Sequence, residues 1–356
     1  MSFLSIDSET RVLVIVIPSY YELILKYYKP VCCNVSAKSD SMVVLVTGGA
    51  GYIGSQLIRE IPKDKRFAGT TVRILDNMFR ERYVSLWDLP KEAKYEMIEG
   101  DIRKPDDVKR AMQDVELVYD LAGITNAPLS FEREQLTKEV NYGGALNVLK
   151  EVMNKGAELI YSATASQYGP TKGLVDETYD CKPISPYGKY KLMAEQAVLK
   201  AAKENGVRAT ALRLGTVYGW TIGMRFDTVI DRFCYLACIG MPLTVYDSAL
   251  KEKRPYVHVK DVLDAFLFTT GRKKMYGEAF NLVGQNAGVG EVVDRIKEFL
   301  PEVEVKITST PSLNQLSYVL DNSKLKKEGF ECKYGLREGV KDIIDKFDAF
   351  TRKRAG

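Results

Sequence analysis

Histidine is almost missing from this sequence: 356 residues contain one, His258. Composition therefore nearly excludes a His-based triad or a multi-histidine metal site. Six cysteines without regular spacing give no disulfide framework. Cys32 and Cys33 are adjacent, and Cys234 and Cys238 sit four apart on an apolar helical stretch, where burial is expected rather than metal binding. No run of 18 apolar residues occurs, so no spanning helix is expected and no membrane association is indicated. Charge of one sign is not concentrated anywhere beyond the short Arg352-Lys353-Arg354 tail. The net charge of +4 comes from mixed signs, which gives no argument for nucleic acid.

What is present is an ordinary globular composition, 46% apolar and 28% charged, long enough for one large domain or two small ones. Residues 1–41 are read as an appended or wrongly started leader, the alternative being a short extra strand or helix packed on the domain. Charges interrupt their apolar stretches and no small-residue cleavage site follows, which argues against a secretory signal. Met42 then opens a strand directly, and the expected location is cytoplasmic.

From that point strands and helices alternate. Val43 to Thr47 is an apolar run that stops in the cluster Gly48-Gly49-Ala50-Gly51-Tyr52-Ile53-Gly54, and an amphipathic stretch follows. Gly48, Gly51 and Gly54 are spaced G-x-x-G-x-x-G between a strand and a helix. The first two let the backbone turn and approach a pyrophosphate, and the third lets the helix pack on the strand. Thr71 to Leu75 is a second strand, ending in Asp76-Asn77. Asp76 lies 25 residues past Gly51, where a carboxylate accepts hydrogen bonds from ribose hydroxyls and repels a 2′-phosphate. That favours NAD, although Arg80 and Arg82 stand nearby. Strands over 95–99, 117–121, 157–161 and 207–214 follow, with helices over 105–112, 132–154 and 187–205 between them. This order predicts an α/β chain with a doubly wound parallel (Rossmann) sheet. Asp101 is expected beside the adenine, and the small residues Ala122-Gly123 let a cofactor lie against the backbone.

Tyr187 and Lys191 are one helical turn apart and share a face. A tyrosine is a poor base near its ordinary pKa of about 10. A nearby ammonium and a cationic nicotinamide ring stabilise its phenolate, which can then take a proton from a substrate hydroxyl. Thr164, at the end of the fifth strand, can hydrogen-bond the same oxygen. Arg254 is the candidate for a diphosphate, which guanidinium grips bidentately; Arg225 and Asn281 are weaker candidates. His258 is expected to pack structurally.

The segments Thr47 to Gly54, Leu75-Asp76-Asn77, Gly100-Asp101-Ile102, Ser162 to Gly169, Ser185 to Lys191, Leu212 to Gly219 and Arg254 to Val259 together resemble the extended short-chain dehydrogenases/reductases of the sugar-nucleotide epimerase/dehydratase family. The resemblance runs from residue 42 to about 340. It implies tightly held NAD, a nucleoside-diphosphate-sugar substrate and a smaller C-terminal substrate-binding lobe. The Rossmann domain is expected over 42–215, with 254–284 returning to it, and the lobe over 216–253 and 285–350. It also implies cofactor contacts from Gly48, Gly51, Tyr52, Ile53, Gly54, Asp76, Asn77, Asp101, Ile102, Leu121, Ala122, Gly123, Ser162, Tyr187 and Lys191. Catalysis falls to Tyr187, Lys191 and Thr164, and substrate contacts to Thr164, Tyr187, Thr216, Arg225, Arg254 and Asn281. Thr164-Ala165-Ser166 resembles the Ser-Ala-Thr of UDP-glucose 4-epimerases and lacks the Asp-Glu pair of the dehydratases and the Glu of the decarboxylating relatives. The reaction implied is C4 inversion of a UDP-hexose through a transient ketone. Two alternatives stand beside it. Arg232 to Cys234 and Gly240 to Tyr246 resemble the UDP-sulfoquinovose synthase branch, and a non-catalytic NAD-binding regulator can use the same fold. By analogy with family dimers, the helices over 132–154 and 187–205 are expected to pair two copies of the chain.

Overall fold

The computed structural model describes residues 41–171, 173–309 and 317–351. Residues 1–40, with Cys32 and Cys33, and the basic segment over 352–354 lie outside them. Val43–Thr47 (β1) is buried at every position, as a strand rich in β-branched residues and covered on both faces must be. It pairs in parallel with Thr71–Asp76 (β2) on one side and Val115–Asp120 (β4) on the other. Lys94–Glu99 (β3) is the edge next to β2, and its charged, partly exposed residues suit an edge. Beyond β4 lie Glu158–Thr164 (β5), Ala209–Leu214 (β6) and Ala279–Leu282 (β7), giving a seven-stranded parallel sheet in the order β7-β6-β5-β4-β1-β2-β3. The strand order reverses between β1 and β4, where such sheets bind ligands beyond the carboxyl ends of the strands.

Gly54–Glu60 (α1), Pro105–Ala111 (α2), Ala145–Lys155 (α3) and the 20-residue Pro186–Asn205 (α4) cover the sheet between strands. A π-helical turn over Glu139–Gly144 precedes α3. Ser185 caps α4 by accepting from Gly188 N at 3.1 Å, Pro186 takes the first turn, and Gly206 ends it at φ 69°. The buried stripe of α4 includes Tyr190, Ala194, Val198 and Ala201, but also Lys191 and Glu195. Glu195 forms a buried ion pair with Arg213 of β6 at 2.7 Å and accepts from Gln167 at 2.8 Å.

A smaller C-terminal lobe is built from Val229–Cys238 (α5), Val289–Lys297 (α7) and Leu336–Lys346 (α8) around their own core of Ile230, Phe233, Val292, Ile296 and Val340. Val259–Thr269 (α6) instead packs against the main sheet through Val262, Leu263 and Phe266. A three-stranded sheet joins the lobe to β6: Lys253–His258 runs between Thr216–Tyr218, in parallel, and Gln285–Gly288, antiparallel. The strands Thr216–Tyr218 and Gln285–Gly288 have no signal in the sequence pattern, because three or four residues show no period. Cys234 and Cys238 are buried on α5, as burial predicts. His258 caps α6 by accepting from Lys260 N at Nδ1, and its ring packs between Tyr218 and Tyr334.

Candidate active site

A cavity of about 1290 Å³ opens beyond the carboxyl ends of β1, β2, β4 and β5 and continues under the C-terminal lobe. At one end is the glycine turn. Gly48 takes φ 66°, and a Cβ there meets the Ala122 backbone at 2.9 Å. A Cβ on Gly54 meets Gly48 O at 2.3 Å, so α1 reaches its seat against the turn only without a side chain at this position. Gly48, Gly51, Tyr52, Ile53 and Gly54 all face the cavity.

Asp76, at the end of β2, accepts from the backbone N–H groups of Ala50 at 3.0 Å and Met78 at 2.9 Å, one on each oxygen. Burial raises its pKa, opposed by those bonds and by the charge of Arg82. Each oxygen keeps a lone pair for a ribose hydroxyl. Asn77 donates to Asp101 at 3.2 Å, Arg103 pairs with Asp101 at 2.7 Å, and Ile102 packs on Gly144. The floor is Leu121, Ala122 and Gly123. Thr47 Oγ1 accepts from Leu121 N at 3.2 Å and Ala122 N at 3.1 Å, and Asn141 in the π-helical turn clasps Ile124 through both ends of its amide. A glycine cradle, a flat backbone floor and an acceptor for a diol together fit a dinucleotide.

At the other end stand Ser162, Thr164 and Tyr187. Thr164 hydrogen-bonds Tyr187 and caps the following turn by accepting from Ser166 N at 3.2 Å. Burial raises the Tyr187 pKa, while the Thr164 bond and the charge of Arg225 oppose that rise. Lys191 is buried behind the cavity wall, with Nζ 4.2 Å from the centre of the Tyr161 ring. Burial pushes its pKa down to about 8, against the attraction of Asp120 and Glu195.

Asp120 is a residue that sequence reasoning missed. It ends β4 fully buried, accepts from the Thr47 hydroxyl and has its pKa raised by burial. Its signal was a carboxylate closing the apolar run Leu117-Val118-Tyr119. Arg225 reaches across the cavity from the lobe to donate to Thr125 Oγ1 at 3.0 Å, and it pairs with Asp227. Thr216 and Arg254 line the arm of the cavity under the lobe, and the Arg254 guanidinium lies 5.0 Å from the Tyr318 ring centre. Asn281 does not line it. Its Oδ1 accepts from Tyr168 at 2.8 Å and its Nδ2 donates to Asp321 O at 2.8 Å, so the amide is engaged in holding β7 to the chain around it. Among the described residues there is no group of three or more metal-ligating side chains, and no helix is long and apolar enough to cross a membrane.

Residues 44–282 match the profile of the NAD dependent epimerase/dehydratase family. A putative UDP-glucose 4-epimerase of Methanocaldococcus jannaschii is 27% identical over 310 residues, covering 85% of this chain and 97% of that one. A CDP-paratose 2-epimerase of Salmonella typhi is 26% identical over 341 residues, covering 85% and 98%. Among solved structures, UDP-glucose 4-epimerase of Thermotoga maritima with UDP-glucose superposes with a TM-score of 0.76 at 27% identity, over 88% of this chain and 100% of that one. These relatives are named for different sugar nucleotides and for different carbons. The chain belongs to the NAD dependent epimerase/dehydratase family, whose cofactor NAD the glycine turn and Asp76 are shaped to hold and whose members are enzymes of sugar-nucleotide modification.

Proposed function

We propose that this enzyme inverts C4 of a UDP-hexose, interconverting UDP-glucose and UDP-galactose through a 4-keto sugar. The observation that carries the reading is the company Tyr187 keeps. Thr164 hydrogen-bonds it, and the two residues that follow Thr164 are Ala165 and Ser166, neither of them a carboxylate. Dehydration needs an acid and a base beside the sugar to expel water. A tyrosine with one hydrogen-bonding partner suffices to move a hydroxyl proton out and back.

In this reading Tyr187 accepts the C4 hydroxyl proton and returns it after the ketone has turned over. Thr164 holds the same oxygen in line with the phenol. Bound NAD supplies the acceptor and donor for the C4 hydride, and its cationic ring favours the phenolate. Arg225 adds positive charge at the same point, and Lys191, with Asp120 beneath it, sets the field on the cofactor side. Arg254 takes the diphosphate. Residues 42–215 with 254–284 form the cofactor-holding part, and 216–253 with 285–350 the substrate lobe. Two copies of the chain pair through the helices over 132–154 and 187–205. A mass of one chain by light scattering at micromolar concentration removes that pairing.

Tyr187→Phe tests the assignment. It keeps the ring and loses the proton carrier, so NAD stays bound while turnover falls by roughly 10²–10⁴-fold. Full turnover in the variant removes Tyr187 from this role.

A further inference from the structure

The ammonium of Lys191 is buried, yet among the described residues it makes no hydrogen bond and no salt bridge. What it meets is the face of an aromatic ring: Nζ lies 4.2 Å from the centre of the Tyr161 ring. A buried cation without a counter-ion in contact is costly, and a ring face offsets part of that cost, most effectively where water is excluded. Tyr161 is itself buried, and its hydroxyl has no partner among the described residues, so the contact is made by the ring.

The two carboxylates that attract Lys191 are each held by other groups. Asp120, in register with Tyr161 across β4 and β5, accepts from the Thr47 hydroxyl. Glu195, one turn further along α4, pairs with Arg213 and accepts from Gln167. Both act on the ammonium from a distance and oppose the fall in its pKa that burial causes. Tyr187 lies one turn back along the same helix. A carboxylate in contact cancels most of the field of a cation, whereas a ring fixes its position and leaves the charge standing. The fold places the ring for this. Tyr161 lies on the sheet face that α4 covers, where Ala194 and Val198, from the same helix stripe as Lys191, pack in one core with it.

We propose that Tyr161 is a positioning residue for the reaction: the face of its ring holds the Lys191 ammonium one helical turn from Tyr187 as a charge that no contacting carboxylate cancels. The inference rests on the reading that Lys191 serves the oxidation step as a cation, but not on which carbon reacts.

The test weakens the ring face without changing its shape. Tyr161→Phe is the parent, and mono-, di- and trifluorinated phenylalanine are then placed at the same position in the NAD-loaded full chain. Fluorine draws electron density from the ring face and so weakens its hold on a cation. Two readouts are taken: the titration midpoint of Lys191, from its 13C-labelled Cε resonance assigned by loss in Lys191→Met, and the alkaline limb of kcat with UDP-glucose. A ring face favours the charged amine, so weakening it lowers the pKa. Tyr161→Phe is expected to keep turnover near that of the wild type. Along the fluorinated series both midpoint and limb move to lower pH together, by about one unit in total. Unchanged NAD content and melting temperature along the series show that the fold is intact. A midpoint that does not move, a limb that stays while the midpoint moves, or turnover lost already in Tyr161→Phe overturns the proposal. A midpoint that moves along the series, in an enzyme that turns over another sugar nucleotide with the same shift of its limb but not UDP-glucose, keeps the proposal and removes the C4 reading alone.

Discussion

The single histidine predicts how this protein loses stability in mild acid. His258 is buried, its Nδ1 accepts from Lys260 N, and its Nε2 has no partner among the described residues. Burial, helped by the charge of Lys260, pushes its pKa down from 6.5 to about 4. In the unfolded chain it takes a proton near pH 6.5, whereas in the folded chain it resists until about pH 4. Between those values the unfolded state binds more protons, so stability is full above pH 6.5 and falls as pH drops toward 4. Two-state linkage gives a loss of about 2 kcal/mol between pH 7.5 and 5, and about 3 kcal/mol once both states are protonated. Buried acids such as Asp120 and Asp231, with raised pKa values, act in the opposite sense over the same range, so a raw acid profile is mixed. His258→Asn keeps a capping acceptor and does not titrate. Urea unfolding of both proteins at pH 7.5 and 5 isolates the histidine: the stability advantage of the wild type shrinks by about 2 kcal/mol at the lower pH. An advantage that is the same at both pH values refutes the reasoning.

Other consequences follow from buried contacts. Glu195→Ala leaves the Arg213 charge buried without its partner and lowers stability by about 3–5 kcal/mol in urea unfolding; a loss under 1 kcal/mol shows the pair to be solvated. Gly54→Ala places a methyl against Gly48 O, where backbone must move, and weakens NAD binding by at least tenfold, read by cofactor retained on gel filtration. Tyr52→Phe removes the bond from Tyr52 Oη to Gly219 O, at 2.5 Å, that ties the cofactor turn to the lobe. It lowers stability by about 1 kcal/mol in thermal melts, and an unchanged melt shows the tie to be idle.

Much of this site can be read along the chain, because its parts are local patterns. The G-x-x-G-x-x-G turn, Asp76 at its strand end and Tyr187 four residues before Lys191 each carry their meaning in spacing. What escapes is set by pairing across distance. Asp120 reaches Lys191 only because β4 lies beside β5. Arg225 meets Thr125 across 100 residues. Asn281, polar and near the end of a strand, looks like a ligand until Tyr168 and Asp321 are seen to occupy its amide. The strands Thr216–Tyr218 and Gln285–Gly288, too short to show a period, exist because Lys253–His258 lies between them.

The central claim is that a C4 hydroxyl is oxidised and reduced again at one site beside Tyr187. UDP-glucose carrying deuterium at C4, incubated with the enzyme and NAD alone, tests it. The account predicts UDP-galactose with the deuterium still at C4, because the hydride that leaves is the one that returns. UDP-galactose with the label washed out, or UDP-glucose recovered unchanged, contradicts it.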